Sequence, residues 1–220
     1  MRTSPDLKRM PRRPVRRRSP GRPRRQEAVA LQKIYLQAAL SVFLSRGYEA
    51  ASIEAIARAA RAGKATFYRR FGGKAELFRL VAHHAISKIR ARLQADVDDG
   101  GAPEQILPLL VDNLYAGLTD PEYLAVLRLA IAEHARLPEL GAALVAHDRY
   151  LLGPVVDYLR RTAAAGTLRI VDPFAAAMQL AALASGGGRF LVKRPRTDTV
   201  SRAQWIAAVA TFALNAWRPR

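Results

Sequence analysis

Apolar residues recur at helical spacing along nearly the whole chain. Between residues 27 and 46, Leu31, Ile34, Tyr35, Ala38, Ala39, Val42 and Phe43 form one continuous stripe at i, i+3, i+4, i+7, i+8, i+11 and i+12. Arg46 suits the dipole at the end of that helix, and Gly47 is a natural C′ residue. Ser52 is an N-cap candidate with Glu54 in the first turn, and Ile53, Ile56, Ala57 and Ala60 give the helix behind it an apolar face. After the interruption at Arg61-Ala62-Gly63, a second short helix is predicted from Lys64 to about Phe71, where Gly72-Gly73 stops it. Phe67 and Phe71 are its anchors, leaving Lys64, Ala65, Thr66, Tyr68, Arg69 and Arg70 to face elsewhere. A rigid, cationic rod of this kind fits the major groove of DNA.

A fourth helix is predicted from Lys74 to about residue 95, through Leu77, Phe78, Val81, Ala85, Ile86 and Ile89, long enough to leave one core and enter another. Beyond the polar break at 96–103, further helices are expected over 104–118, 121–136, 138–165, 172–192 and 199–217. Asp120-Pro121, Leu137-Pro138 and Asp172-Pro173 read as starts with proline at the first helical position. Pro108 should interrupt its helix and Gly153-Pro154 should kink theirs. Only 167–171 could be briefly extended, and Gly186-Gly187-Gly188 should weaken or break the helix that contains it. The fold expected is all-α: an N-terminal three-helix DNA-binding domain with a helix-turn-helix, and a larger C-terminal helical ligand-binding and dimerisation domain. The divisions are a disordered basic arm at 1–25, the DNA-binding domain at 26–74 and the regulatory and dimerisation domain at 75–220.

Charge sharpens this division. The net charge is +18, and residues 1–25 hold 11 Lys/Arg against Asp6 alone, while residues 26–92 hold 12 against 4 and residues 93–220 hold 13 against 13. All the excess therefore lies in the first 92 residues, which implies a polyanion partner for that part only. The arm carries five prolines and almost nothing apolar, so it cannot order itself by burial. Gly21-Arg22-Pro23-Arg24, with Arg25 behind it, either lays arginines along a narrow minor groove or is an undirected cationic tail. Lys64 and Lys74 both stand at helix starts, where a cation opposes the dipole unless a phosphate is bound beside it.

The last two helical segments need burial on several sides. Phe174, Met178 and Ala181 on one, and Trp205, Val209, Phe212 and Ala216 on the other, are candidates for pairing with a second copy. In the middle of the chain Tyr115, Tyr123, Arg128, His134, His147 and Tyr150 stand among Leu, Val and Ala, suiting an apolar or aromatic effector with one polar group, or simply a core with polar ends.

Other chemistries find little support. Adjacent His83-His84 point about 100° apart on a helix, Glu133-His134 lacks the paired spacing of a zinc helix, and His147-Asp148 has no nucleophile beside it. No glycine-rich phosphate loop or nucleophile elbow is present, so neither enzyme, metal nor cofactor is expected. No apolar run reaches the ~20 residues that span a bilayer, and the absence of cysteine suits a reducing cytoplasm.

The series Ala38-Ala39, Phe43, Gly47-Tyr48, Ser52-Ile53, Ile56-Ala57, Ala60, Lys64-Ala65-Thr66-Phe67-Tyr68, Phe71, Lys74 and Leu77-Phe78 resembles the N-terminal domain of the TetR family of bacterial transcriptional repressors. The remainder is similar to that family's regulatory domains in length and helical character. The resemblance implies a homodimeric repressor on a roughly palindromic double-stranded DNA operator, released by a small-molecule effector. It also implies that Ser52 touches phosphate, that Lys64, Thr66, Tyr68 and Arg69 face DNA, and that Lys74 clamps the backbone. The chain departs from the family in having Arg61 where glycine is usual and Gly63 where serine or threonine is usual. Left-handed geometry at the first position would cost arginine roughly 1 kcal/mol, and Arg61 becomes a further candidate for a phosphate contact. The competing function is a sequence-tolerant architectural DNA-binding protein without an effector.

Overall fold

Helix starts in this chain are written in proline and small polar caps. The computed structural model describes residues 25–98, 101–136, 138–187 and 200–219. Nine α-helices lie among them: α1 (Arg25–Ala50), α2 (Ile53–Ala59), α3 (Lys64–Tyr68), α4 (Lys74–Asp98), α5 (Pro103–Leu118), α6 (Pro121–Glu133), α7 (Pro138–Ala164), α8 (Pro173–Ser185) and α9 (Arg202–Trp217). Proline opens α5, α6 and α8, and Asp120 and Asp172 cap α6 and α8 by accepting from the first backbone amides. Ser201 closes a full capping box with Gln204 at the start of α9.

Several boundaries differ from expectation. Gly47 is non-helical at φ 76°, so regular α1 ends where the sequence places it, with one further turn beyond. α3 is shorter than predicted, although Phe71 still donates to the Phe67 carbonyl at 2.9 Å. α6 ends at Glu133, followed by a turn over 134–136. α8 stops at Ser185, because Gly186 turns left-handed at φ 76° and donates back to Leu183; positions 188–192 of the expected helix lie outside the described residues. Pro108 does not interrupt α5; standing in the second turn, it forgoes only the bond to the Glu104 carbonyl. α7 runs continuously through Pro154. Residues 167–171 form no strand, but Arg169 N–H donates to the Trp217 carbonyl at 2.6 Å.

Two hydrophobic clusters divide the molecule. The first joins Tyr35, Ala39, Val42 and Phe43 of α1 to Ile56 of α2, to Phe67 and Phe71, and to Leu77, Phe78, Val81 and Ala82 of α4. It is completed by Val126 and Ala130 of α6. The second takes Ile86, Ile89, Leu93 and Val97 from the same α4 and packs them with α5, α7, α8 and α9. Ala82 and Ile86 thus mark the crossing of α4 from one core to the other, as its length suggested. On α1, Leu36 is buried and Ile34 is 46% exposed, the reverse of their ranking in the apolar stripe.

The turn between α2 and α3 has the geometry that glycine would favour. Arg61 stands at φ 51°, the one non-glycine residue with positive φ among those described, while Gly63 is extended at φ −73° and supplies no side-chain cap to α3. Left-handed backbone brings Cβ against the following carbonyl oxygen. Arg61→Gly is therefore expected to raise the unfolding free energy by up to about 1 kcal/mol, less glycine's greater chain entropy. Arg61→Ala, which keeps Cβ, should leave it nearly unchanged. Urea unfolding of the three proteins decides this: a glycine midpoint no higher than alanine's would show that the strain in the turn does not exceed glycine's entropy cost.

Candidate nucleic-acid interface

α3 is held from beneath by aromatic rings. Phe67 and Phe71 are 0% and 3% exposed, and Tyr35 of α1 meets them edge-on with centroids at 5.9 and 5.3 Å. The Tyr35 hydroxyl donates to the Gly63 carbonyl at 3.2 Å, pinning the residue that caps α3. Burial raises the phenol's pKa, against opposing contributions from Arg70 and Arg69, so the hydroxyl keeps its proton for this bond. Sequence reading missed Tyr35 as a positioning residue, since the apolar stripe marked it only as core.

The opposite face of α3 is open. Lys64, Ala65, Tyr68 and Arg69 are exposed and Thr66 is half-buried. Their polar groups are ordered by one another: Arg69 Nη2 donates to Thr66 Oγ1 at 3.3 Å, and the Lys64 ammonium lies 5.9 Å from the centre of the Tyr68 ring. Lys64 also forms an ion pair with Glu54 of α2. That contact lowers the Glu54 pKa and raises that of Lys64, each chiefly through the hydrogen bond between them. Ser52 is exposed, with Oγ accepting from Ala55 N–H at 3.1 Å as the N-cap of α2. Arg61 is exposed at the turn.

Lys74 is placed otherwise than as an open phosphate clamp. Its ammonium donates to the Tyr48 and Glu49 carbonyls at 2.9 and 3.1 Å and lies 4.4 Å from the centre of the Tyr48 ring. It satisfies the carbonyls at the end of α1 and ties the start of α4 to them, a favourable place for a cation. Arg22 and Arg24 lie outside the described residues, and Arg25 opens α1.

The six residues suggested for an effector separate. Tyr123, His147 and Tyr150 fall where α4, α6 and α7 meet, with two residues the sequence did not place there, His83 and Asp148. The His83 ring lies 4.9 Å from Tyr150 and 6.0 Å from His147. Tyr123 is buried, and its phenol is pushed up to about 12 by desolvation and then by Asp148, whose own carboxyl is raised by burial. Tyr115 is covered instead by Arg202 of α9, 5.3 Å away, while Arg128 and His134 are exposed on and beyond α6. No local spacing relates position 83 to positions 147 and 150; only the packing of α4 on α7 does.

The residues suggested for pairing also divide. Val209 is 6% exposed within the chain's own core, with Trp205, Phe174 and Ala181 partly buried against it; Trp205 Nε1 donates to the Ala184 carbonyl at 3.0 Å. Phe212 is 62% exposed and Met178 39%. Phe212 and Ala216 line a groove of about 490 Å³ between α8 and α9, together with Gln179, Ala182 and Leu183.

Residues 36–81 match the model for bacterial regulatory proteins of the tetR family, and residues 105–214 match that for the C-terminal domain of AefR-like transcriptional repressors. A TetR-family transcriptional regulator from Mesorhizobium loti is 26% identical, with a TM-score of 0.73 over 87% of this chain and 98% of that one. The flavonoid-responsive regulator FrrA is also 26% identical, with a TM-score of 0.65 over 87% of this chain and 99% of its own. A transcriptional regulator from Pseudomonas aeruginosa, 20% identical, shares the fold with a TM-score of 0.69 over 88% of this chain and 97% of that one. No curated protein sequence matches the chain. Among the described residues no helix is long and apolar enough to cross a membrane. With both halves matched, and with α3 rooted by Phe67 and open toward Tyr68 and Arg69, the chain belongs to the TetR family of bacterial transcriptional regulators.

Proposed function

We propose that this regulator is a homodimeric repressor that reads a roughly palindromic operator with α3 and releases it when a small molecule occupies the region between α4, α6 and α7. The observation that carries the reading is the two-sidedness of α3: a fixed aromatic root beneath, and Lys64, Thr66, Tyr68 and Arg69 outward. By their chemistry Arg69 and Lys64 can reach guanine edges, and the Thr66 methyl or the Tyr68 ring can meet a thymine methyl. Ser52, Arg61 and the arm supply phosphate contacts, which hold register without reading sequence.

Pairing is assigned to the α8–α9 face. Phe212, Leu183 and Met178 together leave an apolar surface that a monomer has no reason to keep open, and a two-fold axis there gives each protomer the same complementary patch. The effector is assigned to Tyr123, His147 and Tyr150, with His83 and Asp148. Ring faces beside one or two polar groups suit a planar aromatic molecule, and the flavonoid response in FrrA's name makes flavonoids the first class to try.

Selection of bound fragments from the source genome tests the reading. A palindromic motif retained against excess competitor DNA at fixed salt is expected. Loss of every footprint to modest competitor would favour the architectural alternative. On the selected site, Arg69→Ala and Tyr68→Ala should change base preference, with about 1–3 kcal/mol of discrimination lost at the positions concerned. Equal weakening on all sequences would remove α3 as the reader.

Glu54 restrains Lys64 in the free protein, so Glu54→Gln should strengthen binding severalfold at low salt and steepen the dependence of log K on log salt by up to about one. Fluorescence anisotropy across a salt series measures both, and an unchanged slope would place Lys64 away from phosphate. Phe212→Glu should convert dimer to monomer in sedimentation equilibrium, weaken operator binding by at least about tenfold, and remove the concentration dependence that dimerisation gives the melting temperature. The side chain is 62% exposed within the protomer, so the fold of the single chain should survive the change. A dimer surviving the substitution would mean that another face pairs.

A further inference from the structure

Pro154 lies inside α7, and its missing N–H should leave the carbonyl four residues back, that of Tyr150, without a helical donor. The proline ring also crowds that carbonyl and turns it outward. A donor from another helix is there: Arg90 of α4 gives an Nη1–H to the Tyr150 oxygen. Gly153 makes room for it, since a Cβ at that position would come within 2.4 Å of Arg90 Nη1. The same guanidinium lies 4.8 Å from the centre of the Tyr150 ring, and His83, two turns earlier on α4, lies 4.9 Å from it on the same helix face.

We infer that Gly153-Pro154 is a built-in receptor for Arg90, and that the Arg90–Tyr150 tie fixes the register of α4 on α7. The chain of contacts then runs in one direction. Arg90 and His83 hold α4 to Tyr150, and Lys74 at the other end of α4 holds the end of α1 through the Tyr48 and Glu49 carbonyls. Where α7 presents Tyr150 therefore sets where α4 presents the DNA-binding helices. Arg90 is a positioning residue: it acts through the carbonyl and ring of Tyr150.

A substitution cycle tests the first half of the inference. Pro154→Ala restores an N–H to the Tyr150 carbonyl, so Arg90 becomes dispensable to it. Arg90→Met is expected to raise the unfolding equilibrium constant about tenfold with Pro154 present, and by less than about twofold beside Pro154→Ala. Equal losses in the two backgrounds would overturn the receptor. The second half needs a positional readout, which the cysteine-free chain makes simple. Spin labels on Ala65→Cys in α3 and Asp157→Cys in α7, in full-length protein diluted with unlabelled chains, report the distance between the two within one protomer. Arg90→Met should broaden or shift that distribution, and adding Pro154→Ala should restore it. A distribution unmoved by Arg90→Met would overturn the positioning role even if the cycle is non-additive.

Discussion

α4 is buried in two cores at once. Leu77, Phe78, Val81 and Ala82 belong to the cluster under the DNA-facing helices, and Ile86, Ile89, Leu93 and Val97 belong to the cluster of the larger domain. Each of these side chains larger than Ala82 contributes roughly 1.5–3 kcal/mol through burial, so neither half can release α4 without exposing its own interior. α6 repeats the arrangement, giving Tyr123 and Leu124 to one cluster and Val126 and Ala130 to the other. Packed interiors tolerate rearrangement between discrete fits better than gradual sliding. Under the proposed function, a change between α4, α6 and α7 would reach the first cluster as a displacement of whole helices.

At the far end of this path α3 has little stability of its own. Five residues make barely more than one turn, far below the length at which a helix persists unaided in water. Its cap, Gly63, has no side chain, and the turn before it holds Arg61 in left-handed backbone. What keeps it helical is tertiary: Phe67 and Phe71 locked against Tyr35, and the Tyr35 hydroxyl on the Gly63 carbonyl. The aim of the exposed face of α3 is consequently a property of α1 and of the core beneath it. This explains how the chain tolerates an unfavourable residue in the turn while presenting an ordered surface.

The physics that is local in sequence was legible, and the physics that is not was missed. Caps, prolines and apolar spacing located the nine helices, and the length of α4 announced two cores. The end of α8 at Gly186 was legible as a weak point but not as a stop, because a run of glycines does not say where left-handed backbone begins; Gly186 and Gly187 both adopt it, at φ 76° and 74°. Side-chain destinations were harder. Lys74 looked free for phosphate until the end of α1 was seen to need a donor. Val209 and Phe212 are equally apolar on one helix, yet the first is internal and the second exposed, since the phase of α9 against α5 and α8 is fixed by Trp205 and its bond to Ala184. The His83, His147 and Tyr150 cluster joins residues more than sixty positions apart, and no periodicity within one helix encodes that.

Three cations of the DNA-facing half are already engaged in the free protein. Lys64 rests on Glu54, Arg69 on Thr66, and Lys74 on two carbonyls. Holding a long side chain in place before binding reduces the entropy lost on association, up to about 1.5 kcal/mol for each one immobilised. The restraints differ in kind, however. A phosphate can take over Lys64 from an exposed carboxylate at small cost, because a solvent-exposed ion pair is worth little. Taking Lys74 from the Tyr48 and Glu49 carbonyls would also loosen α4 from α1. The two lysines that look alike in sequence, both at helix starts, are therefore held differently: Lys64 by one exposed carboxylate, and Lys74 by the backbone carbonyls that join α4 to the end of α1.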